Sequence, residues 1–576
     1  MLSNKLKKYS QPFLCYRRVL GQLLLLTFLL AAEFSVMPLT FGPDRRIHDP
    51  AVYRLQDSTY LQGDWYTGMA VESGVYTFYS ALIHASSFLG IGEELWRMLL
   101  YISCMVGLYV YLLKLARLFT SSWLVVPLVV VLHTLLVTAN PPLWLYGYYI
   151  QVDGGLAPRS VAMAFSIAAL YYLLKAPRYL PWILLGLSTL AHVSHSFITF
   201  VLFLGAWFSY RLFTEFQKSK SFELNVYWPA IKESFSASFL YLIAGGWFLL
   251  QVFWLSLSQT STFSAQKFIW AWVYFRAPYM ALPTVPEGYW FILAFHVAAL
   301  FCGGWLVRRW YAKQRAFVDL LLFVGLFALG GFGVFYLFAF MVPWVPGFQF
   351  YSLRLVYFTY LIGHLFMVLF LMSLVKKLWQ TKSLTSLNIS ERIASGFLLL
   401  FLGGALWLCP VFPGTKFVIG APGNLEKSWE QILKPGAALP ESVTGLYLAK
   451  HPEPFLAPPD WNGTRTYLPT VASFKTFGFT PEGLEEWYER MDTLSRGELQ
   501  KAYEKQSKKE KYKPVYINWK QAYETLTTQE VEELSKKYNF NLFLTYREKE
   551  YPFELLVEDE GYRLYRLDTN GALPRK

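Results

Sequence analysis

Seven acids, Asp44, Asp49, Asp57, Asp64, Glu72, Glu93 and Glu94, fall in residues 42–96, directly after a long apolar run. Asp44 and Asp49 come early in this stretch, and Asp64 stands in Leu61-Gln62-Gly63-Asp64-Trp65. A carboxylate held at a membrane surface can take a proton from a hydroxyl or hold a metal ion. The same acids can also solvate a loop and cap short helices. His192 and His195, in Ala-His-Val-Ser-His-Ser, are three apart and are expected to share a helix face. They can contact a substrate, hold a metal if a third ligand joins them, or pack as hydrogen-bonded bundle residues. His133, His296 and His364 stand alone in the sequence and read as satisfied core histidines. Glu33 is an acid inside an apolar run, where a charge must be neutralised, paired or wetted. Asp153-Gly154-Gly155, followed by Pro158-Arg159-Ser160, can line a groove or form a turn ahead of a helix.

The elements that must position these groups are membrane helices. Of the 576 residues, 55% are hydrophobic and only 16% charged, which excludes a disordered chain, and four cysteines exclude a disulfide-knotted one. Apolar runs of spanning length lie near 19–41, 97–116, 122–139, 160–175, 180–192, 196–211, 235–257, 288–307, 318–341, 353–375 and 393–412. The 180–211 run is short for two crossings and implies a tight hairpin or a broken helix. Residues 75–90 read as an amphipathic helix lying along the interface. The first run is longer than a signal-peptide core and is read as a retained span.

The formal charge of +13 is concentrated between these runs: residues 1–412 carry +14 and residues 413–576 carry −1. That distribution excludes a nucleic-acid surface. With the amino terminus inside, 21 basic residues fall in inner loops and 8 outside, among them Arg159, Arg276 and Arg354. Eleven crossings then send the tail outside. The tail, 413–576, reads as α/β. It has a capping box at Thr527–Glu530 opening a helix through Lys537, a second helix over Pro481–Met491, and strands at Asn541–Tyr546 and Tyr562–Leu567. Residues 496–513 read as a charged helix or linker, and Asn462-Gly463-Thr464 fits a glycosylation sequon. The chain has no P-loop, dinucleotide fingerprint, nucleophile elbow, HExxH or CxxC.

One span, a long outer loop with early acids, many further spans and an outer α/β tail together resemble the GT-C glycosyltransferase superfamily. More narrowly the chain resembles an uncharacterised bacterial polytopic family with a GT-C-like membrane part. That likeness is carried by Ala457-Pro458-Pro459-Asp460, Arg465, Ala472-Ser473-Phe474-Lys475-Thr476-Phe477 and Glu486-Trp487-Tyr488-Glu489-Arg490. Phe275-Arg276-Ala277-Pro278-Tyr279-Met280 matches in part, since the family often has histidines at the last two positions. The resemblance implies sugar transfer from a polyprenyl-phosphate donor to an acceptor at the outer face of the bacterial plasma membrane. It implies Asp49 or Asp44 at the early acidic position, Asp64 at a second one, and a divalent cation, Mg²⁺ or Mn²⁺, as a further component. Arg276 and Arg354, with Arg159, His192 and His195, are the expected substrate contacts, because guanidinium forks match phosphate oxygens. The competing expectations are a transporter or flippase, and a noncatalytic assembly protein whose tail recruits partners.

Overall fold

The computed structural model describes residues 21–22, 24–27, 29–30, 45–62, 64–133, 136, 156–175, 179–220, 223–258, 262–276, 287–350, 352–381, 387–407, 442–451, 453–461, 468–473, 480–507 and 515–567. Asp44, Glu33, Asp153–Gly155, Ala277–Met280, Asn462–Arg465, Phe474–Phe477 and most of the first expected span lie outside them. Among the described residues, seven helices are long and apolar enough to cross a membrane: Glu93–Ala116, Val193–Ser219, Asn225–Trp254, Phe291–Trp310, Ala312–Met341, Val345–Thr381 and Ile389–Trp407. Pro158–Leu174 and Leu180–Ala191 are shorter apolar helices. The chain is a helical membrane protein.

The first of the long helices starts at Glu93, four residues earlier than the apolar run suggests. Its opening turn carries Glu93 and Glu94, which the amino-terminal end of a helix dipole favours, so polar residues extend the helix beyond the greasy segment. The 180–211 run resolves into two helices meeting at His192, which is extended (φ −150°, ψ 98°). In an unbroken helix, residues eight apart are about 12 Å from each other along the axis. Here the Ser188 and Ser196 hydroxyls are 2.5 Å apart, so the chain folds back at His192. A second break sits at Gly245 (φ 155°), a conformation that L side chains rarely adopt. A β-carbon there would collide with the Gly186 carbonyl oxygen, so these two glycines let two helix backbones touch.

Residues of the tail form a four-stranded sheet in the order β1 (Phe455–Leu456), β2 (Leu542–Tyr546), β4 (Tyr562–Arg566), β3 (Glu554–Glu558). β1 runs parallel to β2, the other pairings are antiparallel, and a bulge interrupts β3 between Leu555 and Val557. One face, with Leu542, Leu544 and Leu564, packs on Phe455, Trp461 and Leu468. The other, with Phe543 and Tyr565, joins a core continuous with that of the membrane helices. Phe275 packs against Trp487, with ring centroids 5.7 Å apart, and the Val515 amide donates to the Tyr274 carbonyl at 2.8 Å. Trp270 donates its indole N–H to Gln506 at 3.0 Å. Lys267 lies over the rings of Phe263 and Tyr488 at 4.3 and 4.4 Å, and burial lowers its pKa although acids including Asp492 and Glu485 surround it. The tail therefore packs directly on segment 262–276 and shares its apolar interior.

Candidate functional site

The outer-loop acids are held by local structure. Asp49 lies in the Arg45–Gln56 helix, fully buried, with Oδ1 2.9 Å from Nη2 of Arg97. Arg97 is itself tied by its Nε to Glu93 Oε1 at 2.8 Å, one helical turn earlier. A carboxylate fully buried in such a pair is a charge partner of the guanidinium. Asp64 is the amino-terminal cap of Trp65–Glu72: its Oδ2 accepts from the Thr67 amide at 2.8 Å and from the Thr67 hydroxyl at 2.6 Å. It is only half-buried, and of the pair Asp49 and Asp64 it is the more exposed. Tyr60 joins them. Burial raises the pKa of its phenol, and the charges of Asp49 and Asp64 push in the same direction.

Next to Asp49, His48 is packed edge-on against Tyr76 and Tyr79, with ring centroids 4.4 and 5.7 Å away. The Tyr79 hydroxyl donates to the Leu156 carbonyl at 3.0 Å, which ties the loop to the chain just ahead of Arg159. Arg159 follows Pro158 in the first turn of Pro158–Leu174, where proline is preformed for helix entry and Ser160 accepts from the Ala157 amide at 3.2 Å. Arg354 sits in the 3-10 turn Ser352–Leu355, held by a Ser352 hydroxyl bond to the Gly331 carbonyl at 3.0 Å. The charges of Arg159 and Arg354 act on both His192 and His195, and that of His48 acts on His192. Arg159, Arg354, His192 and His195, from separate regions of the sequence, thus form one polar wall, with His48 near His192 and next to Asp49 in the chain.

The two histidines of that wall do not share a helix face as their spacing suggests, because His192 is the extended corner residue. Its Nδ1 accepts from the His195 amide at 3.3 Å, so it caps the helix that contains His195. His195 is buried with Nε2 3.2 Å from the Ser166 hydroxyl, and its ring stacks on Tyr357 at 5.6 Å. Arg276 ends the segment on which the tail packs, next to Phe275, whose ring meets Trp487. Among the described residues, no three His, Cys, Asp or Glu side chains form a group suited to a metal ion, and Asp49 and Asp64 are each engaged by protein partners.

A second polar cluster is not legible from the sequence. His133, His296 and His364, expected to be isolated, come together from three helices and are fully buried. His296 Nε2 lies 2.9 Å from His364 Nε2, its Nδ1 is 2.7 Å from the Ile292 carbonyl, and the His133 and His364 rings are 5.9 Å apart. A carbonyl can only accept, so Nδ1 of His296 carries hydrogen and, in the neutral ring, Nε2 must accept from His364. This neutral bond clamps Glu287–Ala298 to Val356–Thr381. Replacing either histidine by leucine should destabilise the protein by roughly 1–3 kcal/mol by stranding its partner, and the double replacement should cost less than the sum. Thermal unfolding in detergent of the two single variants and the double variant measures this; additive losses would show that the bond contributes nothing.

No family model matches the chain, and no curated protein matches it.

Proposed function

We propose that the protein is an integral-membrane glycosyltransferase of the GT-C kind, moving a sugar from a polyprenyl-phosphate donor to an acceptor hydroxyl at the outer face of the bacterial plasma membrane. The observation that supports this reading is a polar wall in which Arg159 and Arg354 lie near His192 and His195, with the half-buried Asp64 capping a helix of the outer loop. Phosphate oxygens pair with the arginine forks. The acceptor oxygen attacks the anomeric carbon as the bond from that carbon to the phosphate oxygen breaks. The electron pair leaves with polyprenyl phosphate, and the hydroxyl proton passes to Asp64. Asp49 holds Arg97 and shapes the loop. The topology that goes with this reading has eleven spans, a cytoplasmic amino terminus and an extracytoplasmic α/β tail, 413–576, and the contacts of the tail with 262–276 and with Trp65 of the outer loop support a common side for all three.

The test supplies a panel of labelled polyprenyl-phosphate sugars to membranes containing wild-type protein or Asp64→Asn at matched abundance. Transfer by the wild type should fall by about 10²–10⁴-fold in the variant, the usual contribution of a general base. Transfer that survives the substitution would remove Asp64 from the mechanism, and a wild type inactive with every donor would turn the reading towards transport.

A further inference from the structure

Arg490 of the tail reaches the candidate site. Arg490, in the Pro481–Leu494 helix, lies between two rings, with its guanidinium carbon 4.9 Å from the centroid of Trp65 in the outer loop and 4.8 Å from that of Tyr538 in the tail. Its Nε is 2.6 Å from Glu486 Oε1, its Nη1 donates to the Val471 carbonyl at 3.1 Å, and only 12% of the side chain is exposed. The guanidinium is thus held by two bonds and lies within cation–π distance of two aromatic rings, a combination of forked donors and a planar cation that arginine supplies and lysine does not. Trp487, three residues earlier, anchors the same helix by donating its indole N–H to the Ser473 carbonyl at 2.8 Å.

Trp65 is the first residue of the helix that Asp64 caps. Holding the Trp65 ring therefore fixes where that helix begins, and with it the Asp64 carboxylate. A second, independent observation marks the junction: the Trp65 indole nitrogen is buried and has no hydrogen-bond partner among the described residues. Leaving such a donor unmet costs free energy, and an oxygen-rich substrate offers it an acceptor.

We infer that the tail is a working part of the site: Arg490 is a positioning residue for Trp65 and Asp64, and Trp65 donates its indole N–H to a hydroxyl oxygen of the sugar acceptor. The assignment rests on the transferase reading for the identity of the ligand, and on geometry alone for the positioning.

Full-length protein in nanodiscs provides both arms of the test. In the first, amide hydrogen exchange is followed in wild type, Arg490→Ala and Arg490→Lys. Exchange across Trp65–Glu72 should quicken by about tenfold or more in Arg490→Ala and less in Arg490→Lys, while β2 and β4 stay as protected as in the wild type. Unchanged exchange over Trp65–Glu72 would overturn the positioning role whatever the protein's reaction is, and loss of protection in β2 and β4 as well would reduce Arg490 to a general folding residue. In the second arm, transfer kinetics are measured for Trp65→Phe, which keeps the ring and removes the N–H. KM for the acceptor should rise by about 3–30-fold, with KM for the donor within twofold, as expected for one lost hydrogen bond. An unchanged acceptor KM would overturn the donor role of Trp65. A wild type that transfers nothing would overturn the acceptor assignment together with the transferase reading, and the exchange arm would still decide the positioning.

Discussion

Replacing Arg159 and Arg354 together by glutamine should lower retention of a polyprenyl-phosphate lipid by about 10²-fold or more, with each single variant losing about tenfold. Each charge-assisted bond to phosphate contributes roughly 1.5–3 kcal/mol, which sets the single losses, and two forks on one phosphate approximately multiply them. The substitution keeps hydrogen-bonding capacity and similar length while removing charge. Thermal stability should change little, because both side chains are only half-buried at the starts of their helices. The measurement is photocrosslinking or quench titration with the phosphate lipid, run beside the uncharged polyprenol. Equal retention of both lipids by the wild type, or full retention by the double variant, would remove the phosphate contact from the mechanism. Arg276→Gln makes the useful contrast: it ends the segment under the tail, and its loss should leave lipid retention unchanged if Arg159 and Arg354 form the wall alone.

How much of this was legible beforehand depends on how local the signal is. The capping box at Thr527 closes within four residues, and the observed helix Thr528–Tyr538 carries both of its reciprocal bonds. The strand at 542–546 also declares itself, because four of its five residues are buried. β3 does not: Glu554–Glu558 lies at the sheet edge with its first two residues exposed, so burial imposes no alternation on its sequence. β1 is two residues long and is held from both sides, by β2 and by a bridge from Phe455 to Thr470. The same distinction separates the parts of the candidate site. Acids after an apolar run are visible in one dimension, whereas the approach of Arg354 to His192 depends on how separate helices pack. Nor does spacing betray that His296 and His364 share a bond, since each is flanked by apolar residues in its own helix and the two stand 68 residues apart. The tail composition changes sharply at its start and suggests an independent unit. Its aromatic residues nevertheless complete the interior above segment 262–276, through Phe275 between Trp487 and Trp519.

Asp49→Asn should act on folding, in contrast to Asp64→Asn. Asp49 and Arg97 are 0% and 3% exposed, so removing the acid's charge leaves a guanidinium in a dry site with Glu93 as its remaining acidic partner among the described residues. Breaking one partner of a buried pair costs about 3–5 kcal/mol, whereas replacing both with apolar residues of similar volume is often neutral. The expected pattern is therefore a large loss in Asp49→Asn, and recovery of much of it in Asp49→Leu combined with Arg97→Met, read from thermal unfolding in detergent. Glu93 keeps the recovery partial, because its carboxylate loses the 2.8 Å bond from Arg97 Nε and, being partly exposed, must turn to water. Activity per folded molecule separates the two roles. If Asp49 only shapes the loop, the double variant keeps transfer in proportion to the folded protein recovered. If it takes the acceptor proton, the double variant folds and transfers nothing. The second outcome would require the Asp49–Arg97 pair to open when substrate binds, and lipid-dependent exchange of the amides in Arg45–Gln56 would then be its signature.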